Sequence, residues 1–234
     1  ALNTYYIFIL VFTLTLGMIT SLVLMSGGSQ AFSDWAITKI RTRRGAQGLG
    51  AGLGIAIFID DYFNALAVGQ VARPVTDRHQ VARAKLAYLI DSTSAPVAVL
   101  APFSSWGASI IGIMAPVVAA SALAVSDVEA FLRAAGTNYY AMAAIFTVLL
   151  VVALQVDFGP MRTEERRAID HGHTYEPGIE IPGELSEDLP VHEPGAMRAL
   201  IVPFLALVAG VLGGIVWTGY SGGDPRSWAP LDIL

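Results

Sequence analysis

Residues 5–25 read YYIFILVFTLTLGMITSLVLM, a run without a single charge. About 20 apolar residues suffice for a helix to cross a hydrocarbon core roughly 30 Å thick, so this run alone separates the chain from ordinary soluble domains. Composition agrees, because 54% of the 234 residues are hydrophobic, only 14% are charged and mean hydropathy is +0.59. Backbone polar groups in lipid must be satisfied inside the protein, and runs of this length suit helices. The expected fold class is therefore all-α, a polytopic, multi-pass protein of the cell inner membrane. The first run lacks the basic n-region and cleavage site of a signal peptide. The missing initiator Met and the abrupt end at Leu234 suggest a piece of a longer chain. With no cysteine, disulfides, thiolate metal sites and cysteine nucleophiles are excluded. The net charge of −5 comes largely from one acidic loop, and no nucleic-acid partner is expected.

Three carboxylates interrupt this apolar, glycine-rich chain: Asp60 and Asp61 in GLGIAIFIDDYFNALAVG, and Asp91 in AYLIDSTSAP. An ionisable side chain at bilayer depth costs at least about 2.5 kcal/mol on insertion scales, so its default role is an ion pathway or a proton relay.

Charge decides how the stretch 48–71 meets the membrane. Lys39, Arg41, Arg43 and Arg44 precede it, and Arg73, Arg78, Arg83 and Lys85 follow it. Short loops rich in Lys and Arg stay in the cytoplasm, so both flanks belong inside and 48–71 enters and leaves from one face as a re-entrant hairpin. Two arms of ~10 residues, each about 15 Å long, place the tip between Ile59 and Asp60 near the midplane. Residues 5–25 form the first transmembrane helix, with Thr13, Thr15, Thr20 and Ser21 bonding back or across to a neighbour, and 31–45 form an amphipathic interfacial helix. Residues 81–125 make one broken crossing that unwinds at DSTSAP, because Pro96 removes a backbone donor and disfavours helix just before it. Ser126 and Glu129 form a capping box opening a short helix whose Phe131 and Leu132 dip into the interface. Residues 139–156 cross back, 157–197 form a polar cytoplasmic loop without a core, and 199–218 cross again before an outer loop at 219–234. His171 and His173 in that cytoplasmic loop read as polar surface. This topology puts twelve of the fourteen Lys and Arg inside, leaving Arg133 and Arg226 outside.

Asp60 or Asp61 shares a helix edge with Asn64, and Asp91, Ser92 and Thr93 add a carboxylate and hydroxyls. The donor set is all oxygen, which suits Na+ or H+ rather than softer metals. A carboxylate out of water favours its protonated form, and competition between that proton and a cation is a mechanism for antiport. One of the paired aspartates can instead cap a helix arm. Gly48, Gly50, Gly52 and Gly54 permit close helix packing. Ser94, Ser104 and Ser105 are candidate pathway residues, and Arg73 with Asp77 a candidate loop pair or gate.

Residues 58–108, FIDDYFNALAVGQVARPVTDRHQVARAKLAYLIDSTSAPVAVLAPFSSWGA, resemble the signature region of the NhaC-type Na+/H+ antiporter family in the paired aspartates, the RPVTDR loop, the KLAYLIDST step and the APFSSW run. The resemblance implies a secondary transporter rather than an enzyme, working by alternating access and built from two inverted repeats, each with a re-entrant hairpin and a broken helix. It places Asp60, Asp61, Asn64, Asp91, Ser92 and Thr93 in the transport region, with Na+ held at Asp60, Asp61 and Asp91. It implies no cofactor, the transported Na+ and H+ being cargo. The partners it implies are the lipid bilayer, the remaining repeat of the same transporter and a second copy in a homodimer. Family members also exchange organic acids such as malate and lactate, or amino acids, with Na+ or H+. Outside transport, an intramembrane aspartyl protease would pair Asp60 with Asp91, but its GxGD signature is missing from FIDD and LIDS.

Overall fold

The computed structural model describes residues 4–121, 125–176, 178 and 195–222. Every regular element among them is helical. In chain order these are α1 (Thr4–Met25), α2 (Gly28–Lys39), α3 (Arg43–Ala56), α4 (Asp61–Arg78), α5 (Arg83–Leu100), α6 (Ser105–Ala120), α7 (Asp127–Ala135), α8 (Tyr139–Leu154), α9 (Gly159–His171) and α10 (Arg198–Gly222). The end of the expected 81–125 crossing at 122–124, most of the loop beyond 176 and the outer loop from 223 lie outside the described residues, as do the side chains of Thr13 and Thr20.

α5 is the hub, packed on α3, α4 and α8. One of its faces sets Leu86 and Ile90 against Val68 and Ala72 of α4, while another sets Leu89 against Ala51 of α3 and Val148 of α8. Glycines of α3 make its approach to α5 close. A Cβ on Gly50 would lie 3.1 Å from Leu86 Cδ1, and one on Gly54 would collide with Thr93, whereas Gly52 meets nothing within 4 Å. Only Gly50 and Gly54, one turn apart, therefore serve the contact with α5. α2 lies over α4, where the buried Ser33 hydroxyl donates to Val71 O at 3.2 Å.

α1 and α8 present apolar outer faces. Leu10, Leu14, Met18 and Leu22 form an exposed row at four-residue spacing along α1, and Phe146, Leu149 and Leu150 are exposed on α8. Thr15 and Ser21 donate to Val11 O and Gly17 O of their own helix. At about 1.5 Å per residue the 22 residues of α1 measure roughly 33 Å. The stretch Tyr139–His171, whose apolar part is α8, is long and apolar enough to cross a membrane, and α5 with α6, bent by 40°, passes as a broken span.

Four local readings change. The amphipathic segment 31–45 ends at Lys39, because Ile40 turns extended and Thr42 caps a new helix by accepting from Gly45 N at 3.0 Å. Arg43 and Arg44 thus open α3. DSTSAP does not unwind: α5 runs on through Pro96, and the break falls later, at residues 101–104. Pro96 forfeits one helix bond, to Ser92 O, without ending the helix; one turn earlier, Thr93 Oγ1 donates to Leu89 O and Ile90 O. Residues 159–171, expected as loop, form α9, with Glu165 and Ala168 buried. Phe131 does not dip outward but packs on Ile111 and Val128, while Leu132 is exposed; the Ser126 cap forms as expected, accepting from Glu129 N at 3.2 Å.

The later break is built by tight backbone packing. Ser104 caps α6 by accepting from Gly107 N at 2.8 Å, and a Cβ on Gly107 would meet Ala101 O and come within 2.9 Å of Pro102. Gly107→Val should therefore destabilise the protein by about 2 kcal/mol through overpacking, read as a fall in Tm in detergent, while Gly52→Ala leaves Tm unchanged or raised.

Candidate functional site

The 57–60 break between α3 and α4 meets the 101–104 break between α5 and α6. Ser105 N donates to Ile59 O at 2.8 Å, and Ser105 Oγ donates to Asp60 Oδ2 at 2.9 Å. Asp60 caps α4, its Oδ1 accepting from Phe63 N at 2.8 Å. Both of its oxygens are thus engaged, one as the cap of α4 and one by Ser105 across the two breaks, and the residue is only 6% exposed.

Asn64, one turn into α4 and fully buried, ties the end of α3 to the start of α4. Its Nδ2 donates to Gly54 O at 2.6 Å and to Ile57 O at 2.8 Å. That leaves Asn64 Oδ1 buried with no hydrogen-bond partner, and Asp61 Oδ1 is in the same condition. Asp61 and Asn64 stand three apart on α4 and share an edge. Asp61 occupies the first turn of α4, where the positive end of the helix dipole favours a negative charge. Leaving a buried acceptor unsatisfied costs about 1–3 kcal/mol. Two acceptors without a donor are satisfied by a proton on one of them or by a cation beside both. Thr93, fully buried, closes this corner by its contact with Gly54.

The structure separates other expected site residues from this corner. Asp91 is exposed; two residues from Thr93, it points about 200° around α5 from it. Ser92 is half-buried between them and Ser94 is buried. Ser104 is engaged as the cap of α6, donating to Ala98 O and to Ala101 O at 2.9 Å. Asp77 pairs with Arg73 at 3.8 Å, but more closely with Arg83 at 3.1 Å. The guanidinium of Arg83 also stacks on Tyr175, 4.2 Å from the ring centroid.

Sequence reasoning missed a second polar cluster. Lys85, treated as a flanking loop charge, is completely buried and donates to Asp157 at 2.5 Å. Glu165, assigned to a solvated loop, is buried against Arg43 and lies 3.8 Å from Lys85. Burial pulls the Arg43 guanidinium below its usual pKa, with Asp157 opposing the shift. Gln47 and Gln155 join at 2.6 Å beside them. The signal available was an amphipathic period in 159–171 that leaves Glu165 and Ala168 on one face.

The cap and the ligand role of Asp60 separate experimentally. Asn caps as well as Asp, and loss of a cap costs about 1 kcal/mol. Asp60→Asn should therefore retain the parent Tm, and Asp60→Ala should lower it; a fall in ion-dependent activity in Asp60→Asn at unchanged Tm would mark the carboxylate itself as a ligand.

Compared with known proteins, residues 97–223 match the family model described as the Na+/H+ antiporter family. The match begins at Val97, so Asp60, Asp61 and Asp91 lie outside it. A protein of Haemophilus influenzae described as uncharacterized is 39% identical over 212 residues, covering 90% of this chain. The chain spans 39% of that relative's length. No solved structure matches the chain.

Proposed function

Because the chain belongs to the Na+/H+ antiporter family, a family of transporters that need no cofactor and act in the lipid bilayer, we propose that it forms the ion-handling part of an NhaC-type transporter that exchanges Na+ for H+ by alternating access. The observation that carries this reading is the pair of orphaned buried acceptors, Asp61 Oδ1 and Asn64 Oδ1. In the proton-loaded form, Asp61 holds the proton. In the cation-loaded form, Na+ lies against Asp61 and Asn64, with Asp60 and Thr93 fixing the geometry around it. One carboxylate cannot serve both cargoes at once, and that exclusion makes the exchange obligatory.

In this reading α3 and α4 are the re-entrant hairpin, α5 and α6 the broken helix, and the two together one of two inverted repeats in the inner membrane. Asp91 then faces the remainder of the transporter, since a carboxylate on the exposed side of an apolar helix does not face lipid. With Ser92 it forms a second ligand group completed by that remainder.

Organic-anion exchange would use the N-termini of α4 and α6, which begin at the same junction. Those ends are already capped by Asp60 and Ser104, and an anion would meet the Asp60 and Asp61 carboxylates. A cation suits the corner better. Proteolysis is disfavoured too, because both Asp60 oxygens are committed to Phe63 N and Ser105, leaving it poorly placed to share a proton and water with Asp91.

The test uses the full-length parent in proteoliposomes with a pH dye. NaCl alone should discharge the proton gradient, and Asp61→Asn or Asp91→Asn should abolish that response while inserting normally. Response only to malate or another organic anion would move the cargo to that class. Normal exchange in both variants would remove the aspartates from the site.

A further inference from the structure

The buried ionic cluster lies apart from the Asp61–Asn64 corner and belongs to no step above. Its groups come from three places: Arg43 at the start of α3, Lys85 at the start of α5, and Asp157 and Glu165 before and within α9. α5 has no side-chain cap of its own at Ala82. Instead Glu165 Oε1 accepts from Ala82 N at 2.8 Å, and Thr174 O accepts from Arg83 N at 2.8 Å. α9 and the turn after it therefore cap the first turn of α5 from outside.

The same two helices that α9 grips carry the Gly54–Thr93 contact that adjoins the cation corner of α4. Arg43 and Gly54 are eleven residues apart on α3, about 16 Å, and Lys85 and Thr93 are eight apart on α5, about 12 Å. α9 itself is built to survive undocking. Of its residues only Glu165 and Ala168 are buried, and its Arg167–Glu164 pair, at 2.8 Å, is internal. Left-handed backbone lies before it at Gln155 (φ 54), at its first residue Gly159 (φ 53) and just after it at Gly172 (φ 73), the two glycines adopting it at no steric cost. The grip is ionic, with two positive and two negative groups. Buried ion pairs contribute little net stability relative to apolar packing, yet are strongly destabilised when one member is removed. Lys85 and Glu165 are buried while Arg43 and Asp157 already reach water in part, so on release the buried pair regains solvation and the grip can open as a unit where an apolar seam would not.

We propose that α9 is a releasable latch: docked by Glu165 and Asp157 on Arg43 and Lys85, it holds the starts of α3 and α5 together, and its undocking lets the Gly54–Thr93 contact open during the transport cycle. The latch takes only its trigger from the antiporter reading. The amides of Ala82 and Arg83 report it directly, because their partners lie on α9 and its following turn. Hydrogen–deuterium exchange of the peptide covering 80–86 in the full-length transporter should differ between NaCl and choline chloride. Glu165→Gln should exchange there about tenfold faster, since it leaves buried positive charge uncompensated. If Glu165→Gln does not accumulate, Asp157→Asn takes its place with the same expectation. Lys85→Met with Asp157→Leu, an apolar replacement of one pair, should exchange more slowly at 80–86 and slow transport without lowering Tm. Exchange at 80–86 that is the same in both salts, or unchanged in the charge-removing variant, would overturn the latch and leave a static clamp. Absence of proton movement with any ion would instead remove the antiporter reading, whatever the exchange pattern at 80–86.

Discussion

The bond between Ser105 and Asp60, with the adjoining bond from Ser105 N to Ile59 O, is the constraint on which the remaining architecture rests. Each helix break exposes backbone groups that a bilayer cannot hydrate. Placing the two breaks against each other lets one satisfy the other, and Asp60 both caps its own helix α4 and receives the Ser105 hydroxyl from the other break. Its cost as a buried carboxylate is offset by these two bonds. Everything nearby is positioned from that junction: Asn64 one turn along α4, Asp61 at its start, and Thr93 on α5 across from Gly54.

α5 connects the two polar regions of the protein. Its middle carries Thr93 against Gly54, and its start carries Lys85 in the ionic cluster. Apolar contacts along its length, Leu86 and Ile90 on one side and Leu89 on another, hold it on α3, α4 and α8. Such packed interfaces shift between discrete arrangements rather than deforming smoothly. In the latch proposed above, α5 is the element that links its two ends.

The aspartate pair was legible because charge in an apolar run is expensive and stands out residue by residue. The division of labour within the pair was not. Both are Asp, and only the angle at which α4 starts makes Asp60 the cap and leaves Asp61 Oδ1 without a donor. DSTSAP misled for a related reason: proline in sequence signals a lost hydrogen bond, but α5 accommodates it, and the chain breaks where Gly107 and Ser104 pack on residues 101–102. Lys85 and Glu165 were hidden because each lies in a locally charged, seemingly solvated stretch. Their burial comes from α9 folding back across 83 residues of chain to Ala82.

By itself the sequence determined that this is a helical membrane protein, where its apolar runs lie, and which acidic residues need a reason for being there. Those are properties of hydropathy and of the local cost of charge, and they are written residue by residue. Only the tertiary structure decided which carboxylate is spent on a cap and which retains a free oxygen, that Asp91 faces outward, and that a loop helix supplies the cap for α5. Those outcomes depend on which groups meet across long separations in the chain, and no local pattern encodes them.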